Sequence, residues 1–225
     1  MNLLHVPVAP GPALLGWLLL APGALLALRA VRGGFLDTGE RQHAWLAGLV
    51  CVALLWNLQL GAAGGLQVGL VGSALYALLF GPARAILGLL AALALVTLLG
   101  DGAWSNFGLN GVLLAVLPAL LAGGLQRLIA RRLPPHLFVF IIGNGLFVSA
   151  AVTALTRLAL VLAPLALGES PAAAGTVGDY VGYALLLAWG EALLSGMVFS
   201  ALVIFTPRLV LTYREDTYLP LRGRR

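Results

Sequence analysis

F-G-L-N-G-V-L-L-A-V-L-P-A-L-L-A-G-G-L-Q-R-L-I-A-R-R, Phe107 to Arg132, runs for twenty residues without a charge and then meets Arg127, Arg131 and Arg132. Twenty residues of helix reach about 30 Å, the thickness of a bilayer's hydrocarbon core. An apolar run of this length that closes on arginines reads as a membrane span ending on the cytoplasmic side, where basic residues collect.

Six further apolar segments predict the same architecture. With the first they run Gly11 to Ala30, His43 to Ala62, Leu66 to Phe80, Ala83 to Leu99, Phe107 to Ile129, Leu137 to Ala163 and Tyr180 to Phe205. The third is short for a crossing; the sixth is long enough to tilt, kink or extend past the membrane. Arginines test the count. Arg29, Arg32 and Arg41 follow the first span, Arg84 the third, Arg127, Arg131 and Arg132 the fifth, and Arg208, Arg214, Arg222, Arg224 and Arg225 the seventh. Connectors of the other parity hold Asp101, Glu169 and Asp179 and no arginine. Twelve of the thirteen arginines thus fall on one side, with the N-terminus outside and the C-terminus in the cytoplasm. Merging the third and fourth spans would break that alternation.

Composition agrees. Of 225 residues 61% are hydrophobic and 9% charged, against roughly 45–50% and 25% in soluble domains. Twenty-one charges are too few to cover a globule of this size, so lipid is the solvent for most of the chain. The same numbers exclude a disordered chain, and one cysteine, Cys51, excludes a disulfide scaffold or thiolate metal cluster. The net charge of +5 is all arginine on the basic side, scattered in connectors, which points to a membrane rather than nucleic acid. A cleaved signal peptide would need a positive leader, and Met1 to Pro10 carries no charged side chain. The first span is therefore expected to remain, with Met1 or a residue close to it as the mature end.

Small residues predict close helix packing. Gly61, Gly65 and Gly69 form two overlapping G-x-x-x-G steps, and Gly190, Ala192, Ser195, Gly196 and Ser200 form a small-residue face on the seventh span.

Polar residues inside spans say more, because each needs a partner or a cavity. Glu191 falls near mid-membrane; its readings are a protonated carboxyl acting as packing glue, a pathway or gating group, or half of an ion pair. Arg157 is the one arginine that breaks the alternation, about 10 Å from the outer end of the sixth span, where it can snorkel outward or turn inward towards Glu191. His43 and His136 sit at cytoplasmic span ends, which leaves no facing histidines for a haem. His5, beside the Met1 amine in the external segment, is the candidate metal ligand. The sequence has no G-x-x-x-x-G-K-[ST], no H-E-x-x-H and no G-x-S-x-G with a placed histidine, so it is expected not to be an enzyme.

G-L-V-G-S-A-L-Y-A-L-L-F-G-P (Gly69 to Pro82) followed by G-D-G-A-W-S-N-F-G-L-N-G-V-L-L (Gly100 to Leu114) resembles the middle of the CbiM-like cobalt/nickel substrate-specific permease components of energy-coupling factor transporters. H-L-F-V-F-I-I-G (His136 to Gly143), G-E-A-L-L-S-G-M (Gly190 to Met197) and P-R-L-V-L-T-Y-R-E-D-T-Y-L near the C-terminus are similar to a bacterial subgroup of that family. The resemblance, from about residue 11 to 219, implies a seven-span carrier of a divalent transition metal, Co2+ or Ni2+, with no resident cofactor. It implies separate cytoplasmic ATPases and a membrane coupling subunit as partners, and the bacterial inner membrane as location. Family members capture the ion with the N-terminal amine, a histidine at position 2 and a second histidine opening an H-L-x-G motif. This chain has Asn2 and Gly69 at those places, leaving Met1 and His5 as the metal donors available, with His5 too far along to form the same fused chelate rings. Asn110 and Glu191 match family positions and are read, with Arg157, as packing or pathway polar groups.

The expected fold is therefore an all-α polytopic membrane protein of about seven transmembrane helices. It forms one domain over residues 1–225, with an external segment 1–10 and a cytoplasmic tail 207–225. The alternative to transport is a structural accessory subunit that keeps the helical frame after losing metal binding.

Overall fold

The computed structural model describes residues 9–31, 36–58, 60–62, 66–101, 103–166, 177–213 and 218; for 60–62, 66–68, 100–101, 161, 163–165, 177–180 and 183 the description is of backbone only. Met1, Asn2, His5, Arg32, Glu169 and Arg214, Arg222, Arg224 and Arg225 lie outside the described residues.

Apart from one small hairpin, every described element is helical. Helix α1 spans Pro10–Val31 and α2 spans Gly39–Asn57. Thr38 caps α2 by accepting from the Arg41 amide, and Asp37 pairs with Arg41 at 2.7 Å. A two-stranded antiparallel hairpin, Leu60–Ala62 with Leu66–Val68, precedes the short α3, Ser73–Phe80. Helix α4, Pro82–Val96, continues through a π-turn at Thr97–Asp101. A 3-10 turn at Trp104–Asn106 then leads into α5, Phe107–Gly111, a π-turn at Val112–Val116, and α6, Leu117–Arg132. Pro118 has no amide hydrogen to give to the turn before it, so one widened turn lies directly N-terminal to the proline. Helix α7, Leu137–Ile142, passes through a third π-turn, Gly143–Val148, into α8, Ser149–Ala166, and α9 spans Val177–Phe205.

Each apolar segment anticipated from the sequence contains a helix. Among the described residues five stretches are long and apolar enough to cross a bilayer: Pro10–Val31, Pro82–Leu99, Trp104–Arg132, Leu137–Leu160 and Ala184–Phe205. Helix α2 has nineteen residues, with Glu40 and Arg41 in its first turn.

The third segment departs from expectation. A helix over Leu66–Phe80 was anticipated, but helix forms only over the eight residues of α3, about 12 Å of rise. The second segment likewise ends at Asn57 instead of Ala62. The reason is glycine: Gly61, Gly64, Gly65, Gly69 and Gly72 crowd twelve residues, and each costs a helix about 1 kcal/mol against alanine. Gly61 is in a strand, Gly69 is non-helical and Gly65 lies outside the described residues, so the two G-x-x-x-G steps do not form a helical packing face. Gly72 has φ +68° and Gly81 has φ +77°, conformations that a side chain disfavours. Gly81 followed by Pro82 at the first turn of α4 also keeps the third and fourth segments apart.

Close backbone approaches hold the bundle. Gly16 of α1 and Gly108 of α5 face each other so closely that a Cβ on either would overlap the other's backbone. A Cβ on Gly196 of α9 would lie 2.7 Å from the Gly145 carbonyl oxygen. Of the small-residue face on the seventh segment, Ala192, Ser195 and Gly196 are turned inward or packed, whereas Gly190 has nothing within 4 Å. The Tyr76 ring lies beside Gly48 and Gly88, and its hydroxyl donates to the Trp45 carbonyl at 2.9 Å. At one end of the bundle Arg41 donates to the Arg208 carbonyl at 3.0 Å and Trp45 to the Arg84 carbonyl at 3.1 Å. The arginine-bearing ends of α2, α4 and α9 therefore meet on one face. The chain after α9 folds back there: Leu211 N–H donates to the Leu79 carbonyl, and Phe140 packs against Tyr213 and Tyr218.

Candidate functional site

Between the hairpin and α3 the four residues Gly69–Gly72 run without helix, and their backbone groups would be orphaned in lipid without side-chain partners. Three helices supply them. Trp56 of α2 donates its indole N–H to the Val71 carbonyl at 2.7 Å. Arg157 of α8 donates Nη2 to the Gly69 carbonyl at 2.8 Å. Glu191 of α9 accepts from the Val71 amide at 3.1 Å and from the Gly72 amide at 2.6 Å. The same Arg157 Nη2 lies 2.6 Å from Glu191 Oε2.

Both charges are buried, with side chains 7% and 4% exposed. Two opposite charges in hydrocarbon persist only when paired and hydrogen-bonded. Both carboxylate oxygens accept, one from an amide and the other from an amide and the guanidinium, so the carboxyl is fully engaged by the protein. Gly72 is also the N-cap of α3, and it carries no side chain to cap the helix. The Glu191 carboxylate accepts from the N-cap amide itself, as the glutamate of a capping box does, and sits at the favourable end of the helix dipole.

Of the residues singled out in the sequence, the structure brings Arg157 and Glu191 together. Asn110 is buried at 1% exposure on α5, which packs on α1 and α4. Its neighbours Leu109 and Leu113 pack against Ala159 and Leu160, within a turn of Arg157. Met1 and His5 lie outside the described residues. Among the described residues no three of His, Cys, Asp or Glu come together to hold a metal. His136 caps α7, its Nδ1 accepting from the Phe138 amide at 3.2 Å, and His43 lines an open cleft of about 820 Å³ with Glu40, Phe205 and Arg208. Outside the spans, the side-chain hydrogen bond from Arg41 holds the Asp37 carboxyl below its usual range.

Sequence reasoning missed the backbone half of this site. The Val71 and Gly72 amides and the Gly69 carbonyl leave no mark in residue identity; the available signal was a glycine at each end of G-L-V-G directly before the helix-starting Ser73.

The family model described as CbiM, cobalt uptake substrate-specific transmembrane region, matches residues 6–209. A crystal structure of a transition metal transporter is similar over 97% of this chain and 100% of that chain, with 19% identity and a TM-score of 0.66. A crystal structure of a truncated transition metal transporter is similar over 89% of this chain and 98% of that chain, with 22% identity and a TM-score of 0.67. At these identities the likeness is one of fold. No curated protein matches the sequence.

Proposed function

The chain belongs to the CbiM family, the cobalt uptake substrate-specific transmembrane region, and from that premise we propose that it is the substrate-specific membrane component of a transporter for Co2+ or Ni2+. The observation that carries this reading is the family match, which spans residues 6–209 and so takes in every described helix. The arginine-bearing helix ends on one face support a topology of seven crossings with the N-terminus outside. In this topology the chain is a single domain of the bacterial inner membrane, with segment 1–10 external and tail 207–225 cytoplasmic.

The metal is cargo. Its donors are the Met1 amine and His5, both neutral when they ligate. Glu191 is not among them, because both carboxylate oxygens are taken by Arg157 and the Val71 and Gly72 amides. The pair instead fixes the Gly69–Gly72 strap across α2, α8 and α9, as a positioning element with no catalytic role. The chain carries no ATP-binding loop, so energy comes from separate ATPase subunits acting through a membrane coupling subunit.

A second reading, a non-transporting accessory subunit, is favoured by Asn2 and Gly69 standing where the family's histidines would be. Purification with bound partners separates the two. Stoichiometric nickel or cobalt that is lost in His5→Ala, together with an ATPase partner, supports transport. Metal-free protein without an ATPase partner leaves the accessory reading.

A further inference from the structure

Serine and threonine inside a helix ordinarily turn back on the carbonyl four residues earlier. Thr97 and Ser200 do so here, on Leu93 and Gly196. Ser149, Thr153 and Thr156 of α8 do not. Their hydroxyl oxygens are buried without a hydrogen-bond partner among the described residues, and so are Asn144 Oδ1 and Arg157 Nε. All five side chains are at most 7% exposed.

These groups share one face. Ser149, Thr153 and Thr156 follow the four- and three-residue steps of a single helical stripe that Arg157 closes. Asn144 would fall on another side of a regular helix. The π-turn at Gly143–Val148 corrects this, because its five-residue hydrogen bond joins the Ser149 amide to the Asn144 carbonyl and stacks the two residues. From Asn144 to Arg157 the row rises about 20 Å, some two thirds of the hydrocarbon thickness.

A buried polar atom that lacks a protein partner takes one from water. Hydroxyls both donate and accept, an amide oxygen accepts, and Nε donates; this mixed set suits water, while the Arg157 charge at the end of the row disfavours a resident cation. We propose that the buried polar face of α8 and its π-turn is a file of internal water running from the Arg157–Glu191 pair to Asn144. On the transport reading above, this file hydrates the bundle interior beside the solute path and is not the cation's own route, which the Arg157 charge disfavours.

The test is thiol accessibility of the full chain in lipid vesicles, in a Cys51→Ser background. Thr153→Cys, Thr156→Cys and the milder Ser149→Cys are treated with 2-aminoethyl methanethiosulfonate, with Val152→Cys, buried on the same helix off the stripe, as control. Unreacted thiol is then counted with a maleimide after denaturation. Stripe positions that react at least ten-fold faster than Val152→Cys support the file; equal rates, slow or fast, overturn it. Because this readout needs no transport, it stands or falls separately from metal uptake. Where wild-type protein takes up nickel, Thr153→Val and Thr156→Val are expected to melt no lower than wild type and to lose uptake at least five-fold; unchanged uptake shows that the hydrated face plays no part in transport.

Discussion

A single nitrogen, Nη2 of Arg157, lies 2.6 Å from Glu191 Oε2 and 2.8 Å from the Gly69 carbonyl oxygen, so one guanidinium edge joins α8, α9 and the strap before α3. Arg157→Gln and Glu191→Gln each leave the opposite charge buried, and each is expected to cost about 3–5 kcal/mol. The double variant is expected to cost much less than the sum, as measured by unfolding in mild detergent. Additive costs would mean that the two charges act independently.

Gly72 tests the strap from the backbone side. With φ +68° it is strained by any side chain, and Gly72→Ala is expected to lose about 1–2 kcal/mol by the same unfolding measurement. A neutral Gly72→Ala would show that the strap adopts another conformation in the membrane.

The glycines divide into two groups. Gly16→Ala and Gly108→Ala drive a methyl into the facing backbone and are expected to cut the yield of folded protein sharply, read by size-exclusion chromatography. Gly190→Ala meets open space and is expected to be neutral or to gain up to about 1 kcal/mol of helix propensity. If the two groups behaved alike, α1 and α5 would not be in backbone contact.

Asp37 supplies a pH dependence of known sign. Arg41 lowers its carboxyl pKa from 3.8, so the pair's contribution is present above that value and is lost as pH falls through the lower folded one. Both side chains are substantially exposed and the contribution is screened. Melting curves of Asp37→Asn and wild type are therefore expected to coincide near pH 7; a large gap would place the pair in a drier setting.

Much of this was legible in the sequence because lipid imposes simple rules. Apolar length located every helical segment, and Arg157 and Glu191 stood out as charges within apolar runs. The Gly61–Gly72 region misled because G-x-x-x-G spacing was read as a helical face where the glycines themselves disfavour helix. The π-turns were not legible, since they follow from tertiary packing and a proline, and the strap's amides have no residue signature. Asn110 was visible as a buried polar residue, but its placement beside α1 and α4 depends on Gly16 and Gly108, which a one-dimensional reading does not pair.

Radiolabelled nickel and cobalt accumulation tests the central claim most directly, in cells expressing this chain with the ATPase and coupling subunits proposed for it. The account predicts saturable uptake that requires the chain and falls at least ten-fold in His5→Ala. Accumulation no greater than in cells without the chain, with the protein folded and its partners bound, would contradict it.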